Sequence, residues 1–208
     1  MSDVKATVDI CVQKFGRIDV YFANAGVLGR FVPISEETEE SFMRSFAINT
    51  LGPFMAIKYA SEAMKRTAGG GSIITTASIA AIRSDLTPLQ YAASKGALLS
   101  LVISANDRLL MDNVRVNAVV PGGVLTGMAM GVAKDLDDQG LILPNFDPNR
   151  YIFIQPEQIA SIVLFLASDE SIPIKGQAIV ADGGMANSMG SQPHPIAKKQ
   201  KHEKKAKL

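Results

Sequence analysis

Apolar positions along the chain follow two alternating rhythms, a helical period and a short β-rich run. Residues 3–15 predict an amphipathic helix, with Val4, Ala6, Val8, Ile10 and Cys11 favouring one side and Gly16 ending it. The segment IDVYFANAG (18–26) predicts a short apolar strand running into Gly26. Ser35-Glu36-Glu37 opens a long helical pattern to about Arg66, and Gly69-Gly70-Gly71 stops it. SIITTAS (72–78) is a second strand, 88–111 another long helix, and NVRVNAVV (113–120) a third strand broken by Pro121-Gly122-Gly123. A variable stretch to about residue 154 precedes a helix at 156–168 and a last strand, GQAIVADGG (176–184).

Strands rich in Val and Ile, spaced by helices, imply right-handed crossovers and an open α/β sheet, parallel and covered on both faces. In such sheets ligands collect at the carboxyl edge. The residues that follow the strands are Asn24, Ala25 and Gly26, then Ser78, then Pro121 to Thr126. Polar or conformationally special residues therefore converge on one rim, which predicts a single site.

Composition narrows the function class. A length of 208 residues suits one core, and 47% apolar with 20% charged residues is an ordinary globular balance. No apolar run reaches membrane-span length, and the opening MSDVKATVDI lacks a secretory pattern, so no membrane association is expected. The lone Cys11 reads as a small apolar residue. The net charge of +1 hides a tail in which Lys198, Lys199, Lys201, Lys204, Lys205 and Lys207 face one acid, Glu203. Six of 21 bases and one of 20 acids lie there, so the body is near −4 and no nucleic-acid partner is expected. The expected division is a domain over 1–187 and a disordered Lys-rich tail over 188–208. Both histidines, His194 and His202, lie in that tail, and no metal-ligand cluster is apparent.

The chemistry sits in YAASK (91–95), where Tyr91 and Lys95, four apart, share one helix face. A phenol titrates near 10, and an adjacent ammonium is expected to lower that and make a usable proton donor and acceptor. Ser78 can cap the turn after its strand, and Asn49 can be an ordinary helix amide. Gly69-Gly70-Gly71 follows a helix and precedes a strand, the wrong order for a phosphate cradle.

Six ordered elements, ANAG (23–26), Asn49 in AINTLGPF, Ser78 in ITTASIAA, YAASK (91–95), RVNAVVPGGVLT (115–126) and GQAIVADGG (176–184), together resemble the short-chain dehydrogenase/reductase family in its Y-x-x-x-K branch. The resemblance runs from about residue 3 to 187. It implies a partial Rossmann-like doubly wound parallel sheet and an NAD(P)-dependent oxidoreductase interconverting a secondary alcohol and a ketone. In that reading Tyr91 is the acid/base and Lys95 lowers its pKa and bonds the nicotinamide ribose. Ser78 bonds the substrate oxygen, and Asn49 holds a water linking Lys95 to solvent. Asn24, Ala25, Gly26, Tyr91, Lys95, Pro121, Gly122, Val124 and Thr126 would contact NAD or NADP. Ala23 stands where family members usually carry Asn.

The family's T-G-x-x-x-G-x-G fingerprint and first strands have no counterpart in these 208 residues. The expectations that follow are an 18–23 strand at the sheet edge and poor cofactor binding by the polypeptide alone. A non-catalytic fragment acting as a dimerisation or regulatory partner is the alternative. Residues 127–154, with Met128, Met130, Leu141, Ile142 and Phe146, are expected to form an apolar lid over a small carbonyl or alcohol substrate. Helices 37–66 and 88–111 resemble the family's four-helix interface, implying a homodimer or homotetramer. The final Ala206-Lys207-Leu208 resembles the peroxisomal Ser-Lys-Leu signal, with the cytosol as the other address.

Overall fold

The computed structural model describes residues 2–83, 87–129 and 154–186, so the expected lid over 130–153 and the tail lie outside the described residues. Four strands, β1 (Val20–Ala23), β2 (Gly71–Thr76), β3 (Val114–Pro121) and β4 (Ala178–Ala181), form one parallel sheet in the order β1-β2-β3-β4. The helices are α1 (Ser2–Phe15), α2 (Glu39–Phe46), α3 (Gly52–Thr67), α4 (Leu89–Leu109) and α5 (Pro156–Ala167).

All eight residues of β3 are buried, as the unbroken run VRVNAVVP demands of a strand between two layers. On one face Val114, Val116, Ala118 and Val120 join Ile73 of β2, Val8 of α1, Ile57 and Met64 of α3, and Leu98 and Val102 of α4 in the core. The alternate positions meet α5. Ser72 Oγ donates to the Leu166 carbonyl at 2.8 Å. The buried Arg115 guanidinium donates to the carbonyls of Leu166, Ser168 and Ser171 and to Ser171 Oγ. The carbonyl-rich end of a helix is a favourable place for a buried cation.

The structure revises the expected elements in three places. The buried stripe of α1 is Val4, Val8, Cys11 and Val12, whereas Ala6 and Ile10 face outward, because packing on α3 selects the i, i+4, i+7, i+8 row. The strands are shorter than their apolar runs and stop where the rim residues begin, which leaves 24–26, 77–78 and 182–184 in loops. The helix expected over 37–66 is divided: Thr38 caps α2, its hydroxyl accepting from Ser41 N, and a wider π turn at Ala47–Leu51 separates α2 from α3. Pro53 has no amide to return to the Asn49 carbonyl four residues back, a sufficient reason for the widening.

Gly69 and Gly70 stop α3 as expected, both at positive φ. Among the described residues β1 (Val20–Ala23) lies at an edge of the sheet, with Val20 and Phe22 exposed. Among the described residues no helix is long and apolar enough to cross a membrane.

Candidate active site

The carboxyl ends of β1, β2 and β3 and the first turns of α4 build the site. After β2 the backbone continues through Ala77, whose amide still reaches the Val119 carbonyl, to Ser78. Ser78 Oγ accepts from Ala80 N at 3.1 Å, starting a single 3-10 turn, and the side chain lies close enough to the Tyr91 phenol to draw its pKa down. It is therefore both a turn cap and a partner of the phenol.

Tyr91 and Lys95 lie one turn apart on α4, both buried. Lys95 Nζ sits 5.6 Å from the Tyr91 ring centroid and donates to the Thr76 carbonyl at 2.6 Å. Burial lowers the Lys95 pKa from 10.5 to about 8. Burial also raises Tyr91 above its ordinary 10, the Ser78 hydrogen bond pulling the other way. This corrects the expectation of a lowered phenol. Desolvation of the phenolate outweighs its stabilisation, and the ammonium, already engaged with Thr76, does not reverse it.

Asn49 lies in the π turn, fully buried, and its amide holds other chain segments. Nδ2 donates to the Val27 carbonyl at 2.8 Å and to Ser94 Oγ at 3.0 Å, and Oδ1 accepts from Val27 N at 2.9 Å. Both amide protons are thus committed, so a water-holding role would fall to its backbone carbonyl or to the second lone pair of Oδ1. Gly26 comes next to this clamp. A Cβ there would lie 3.2 Å from Asn49 Oδ1 and 3.5 Å from Lys95 Nζ, so a side chain would crowd the amine. Asn24 and Ala25 are exposed on the rim, and Asn24 Oδ1 accepts from Thr76 Oγ1 at 2.8 Å.

Pro121 closes β3, buried, and the chain turns at Gly122 against the segment that follows β4. A Cβ on Gly122 would meet Asp182 Cα and Met185 Sδ, each at 2.9 Å. Gly123 N donates to Met185 Sδ at 3.3 Å, and the buried Asp182 carboxylate accepts from Gly184 N and Ala186 N. Val124 pairs with Ile154. Thr126 is exposed, its hydroxyl bonding within its own loop to the Val124 carbonyl and Ala129 N.

Asn49, Ser78, Tyr91, Lys95 and Gly26 are thus linked through bonds and close approaches, while Val124 and Thr126 shape a neighbouring loop. Sequence reasoning missed Ser94, Thr76, Asp182 and Met185 as supports. Ser94 stood inside YAASK, and Asp182 stood inside the ADGG run.

An open parallel sheet that gathers a phenol, an amine and a hydroxyl at its carboxyl rim defines an α/β protein with a Tyr–Lys site. Comparison with known proteins agrees. The family model described as enoyl-(acyl carrier protein) reductase matches residues 1–186. The chain is 40% identical over 189 residues to short-chain dehydrogenase reductase 4 of Arabidopsis thaliana, a match covering 89% of this chain and 62% of that protein. Among solved structures, levodione reductase superposes with a TM-score of 0.81 at 29% identity, covering 90% of this chain and 74% of that one. NAD+-bound xylitol dehydrogenase superposes with a TM-score of 0.78 at 31% identity, covering 87% and 74%. The chain belongs to the short-chain dehydrogenase/reductase family, a family of nicotinamide-dependent enzymes, and spans 62% of the length of the Arabidopsis relative.

Proposed function

We propose that the chain carries the reacting half of an NAD(P)-dependent oxidoreductase that interconverts a secondary alcohol and a ketone. The observation that carries this reading is the gathering of Ser78, Tyr91 and Lys95 at the carboxyl end of β2, with Lys95 Nζ 5.6 Å from the Tyr91 ring centroid and Ser78 drawing the phenol pKa down. Two neighbouring hydroxyls suit a substrate oxygen, whereas reduction of a carbon–carbon double bond needs no such pair at the reacting carbon. The names of the structural neighbours, levodione reductase and xylitol dehydrogenase, fit carbonyl and alcohol chemistry.

The residues present fit the nicotinamide end of the cofactor. Gly26 leaves a space beside Asn49 Oδ1 and Lys95 Nζ that a Cβ would fill. With one proton given to Thr76, the Lys95 ammonium retains two donors for ribose hydroxyls. Asn24, Ala25, Pro121, Gly122, Val124 and Thr126 would line the remainder. Among the described residues no strand-to-helix turn is the glycine-rich kind that takes a pyrophosphate.

When bound, the nicotinamide gives or takes the hydride. Tyr91 holds the proton and passes it to the substrate oxygen during reduction, or accepts it during oxidation. The raised phenol pKa keeps that proton in place at neutral pH. Ser78 donates to the substrate oxygen as charge develops, and the Lys95 ammonium offsets charge on the phenolate. Asn49 holds the Gly26–Val27 backbone over the amine.

We further propose a small, apolar substrate, and assembly with a second copy through α3 and α4, which expose Phe54 and Ile103. Sedimentation of the purified chain as a monomer would count against that assembly. The peroxisomal address rests on Ala206-Lys207-Leu208 alone, and diffuse signal from an N-terminally tagged chain would remove it. The test of the reaction follows the loss of reduced-nicotinamide absorbance at millimolar NADH or NADPH with a panel of cyclic and aryl ketones. Turnover is expected with the native chain and lost in Tyr91→Phe; equal turnover in both overturns the reading.

A further inference from the structure

The site is joined through a serine to which the proposed reaction assigns no part. Ser94 is fully buried on α4 between Tyr91 and Lys95. Its hydroxyl donates to the Tyr91 carbonyl at 2.8 Å and accepts from Asn49 Nδ2 at 3.0 Å. Its own carbonyl accepts from Thr50 Oγ1 at 2.9 Å. Two successive residues of the π turn therefore dock on this one residue of α4.

These bonds close a ring. From Ser94 the path runs to Asn49, then through two hydrogen bonds to Val27, and back along the chain to Gly26. Gly26 covers Lys95, which projects from the residue after Ser94. The backbone over the amine is held by side-chain contacts that begin on the same helix as the amine itself. A buried amide and hydroxyl that satisfy each other fix such a spacing, because breaking the bond strands a polar group away from water.

We propose that Ser94 is a positioning residue that, through Asn49 and Thr50, sets how closely the Gly26–Val27 backbone covers the Lys95 amine. The proposal rests on the reading of Tyr91 and Lys95 as the working pair, but its test does not depend on turnover. Burial is the cause of the depressed Lys95 pKa, and no acid among the described residues contributes to it; the titratable group beside the amine is Tyr91. The Lys95 titration therefore reports how well the amine is covered.

The experiment is competitive labelling of the full 208-residue chain with acetic anhydride across pH, Lys95 being read by mass spectrometry. Ser94→Ala is expected to raise the Lys95 midpoint by about one unit toward its ordinary value, a tenfold change in proton affinity. Ser100→Ala, at an exposed position on the same helix, is expected to leave it unmoved. A Ser94→Ala protein that melts earlier yet keeps the native Lys95 midpoint would show a packing role only, and overturn the proposal. Should Ser94→Ala fail to fold, Thr50→Val removes the second bond to Ser94 and is read in the same way. A smaller rise supports the proposal and no rise overturns it. If Tyr91→Phe keeps turnover while Ser94→Ala moves Lys95, the reaction assignment fails and the positioning role stands.

Discussion

Replacing Lys95 by methionine keeps most of the side-chain volume and removes the charge, so it measures what the site costs the fold. In the unfolded chain Lys95 holds its proton up to about 10.5, but in the folded chain only to about 8. Between these values the unfolded state binds more protons, so native stability rises with pH through that window and the destabilisation is fully present below about pH 8. Linkage arithmetic gives a destabilisation of about 3 kcal/mol at pH 7, falling to about half of that near pH 9.5. With Lys95 only 3% exposed, solvent screening does little to reduce it. The methionine variant escapes this cost but loses the bond to Thr76, worth about 1.5 kcal/mol for a charged donor. Lys95→Met is thus expected to be more stable than the native chain by about 1–2 kcal/mol at pH 7, with the advantage gone near pH 9.5. Tyr91, raised by burial, is common to both proteins. The assay is urea unfolding of both proteins at several pH values, comparing midpoints at constant slope. Parallel stability curves, or a variant less stable at pH 7, would refute the claim that burial of this ammonium sets its pKa. The same variant is expected to lose turnover, so the site would trade stability for chemistry.

Three further outcomes follow from the geometry. Gly122→Ala places a Cβ 2.9 Å from the Asp182 backbone, so the PGG turn and the segment after β4 must separate; a loss of about 2 kcal/mol in urea unfolding is expected, and an unchanged midpoint would mean the contact yields freely. Arg115→Met is expected to cost only about 1–2 kcal/mol rather than the larger cost of stranded acceptors. The carbonyls of Leu166, Ser168 and Ser171 keep Ser72 Oγ, Ser171 Oγ and Ile174 N as donors, and a loss beyond twice that range would contradict this accounting. The 208-residue polypeptide by itself is expected to bind NAD+ and NADP+ more weakly than micromolar, as no strand-to-helix turn among the described residues is the glycine-rich kind that takes a pyrophosphate; micromolar, near-stoichiometric binding in calorimetry would refute that.

Much of the architecture was legible in the order of residues, because the features that reveal it are local. Alternation of β-rich runs with helical periods announces a parallel sheet, glycines after α3 announce its end, and Tyr91 with Lys95 four apart must share a helix face. What tertiary structure decided depends on groups far apart in sequence. Desolvation by neighbouring elements turned Tyr91 upward where a neighbouring cation alone predicted the reverse. Packing on α3 chose which stripe of α1 is buried. The helical pattern ran through Pro53 without a break, and only the fold shows the π turn that points Asn49 at Val27 and Ser94. Period and spacing are one-dimensional and survive in a string of letters; burial, and the partners a buried amide finds, exist only once the chain has closed on itself.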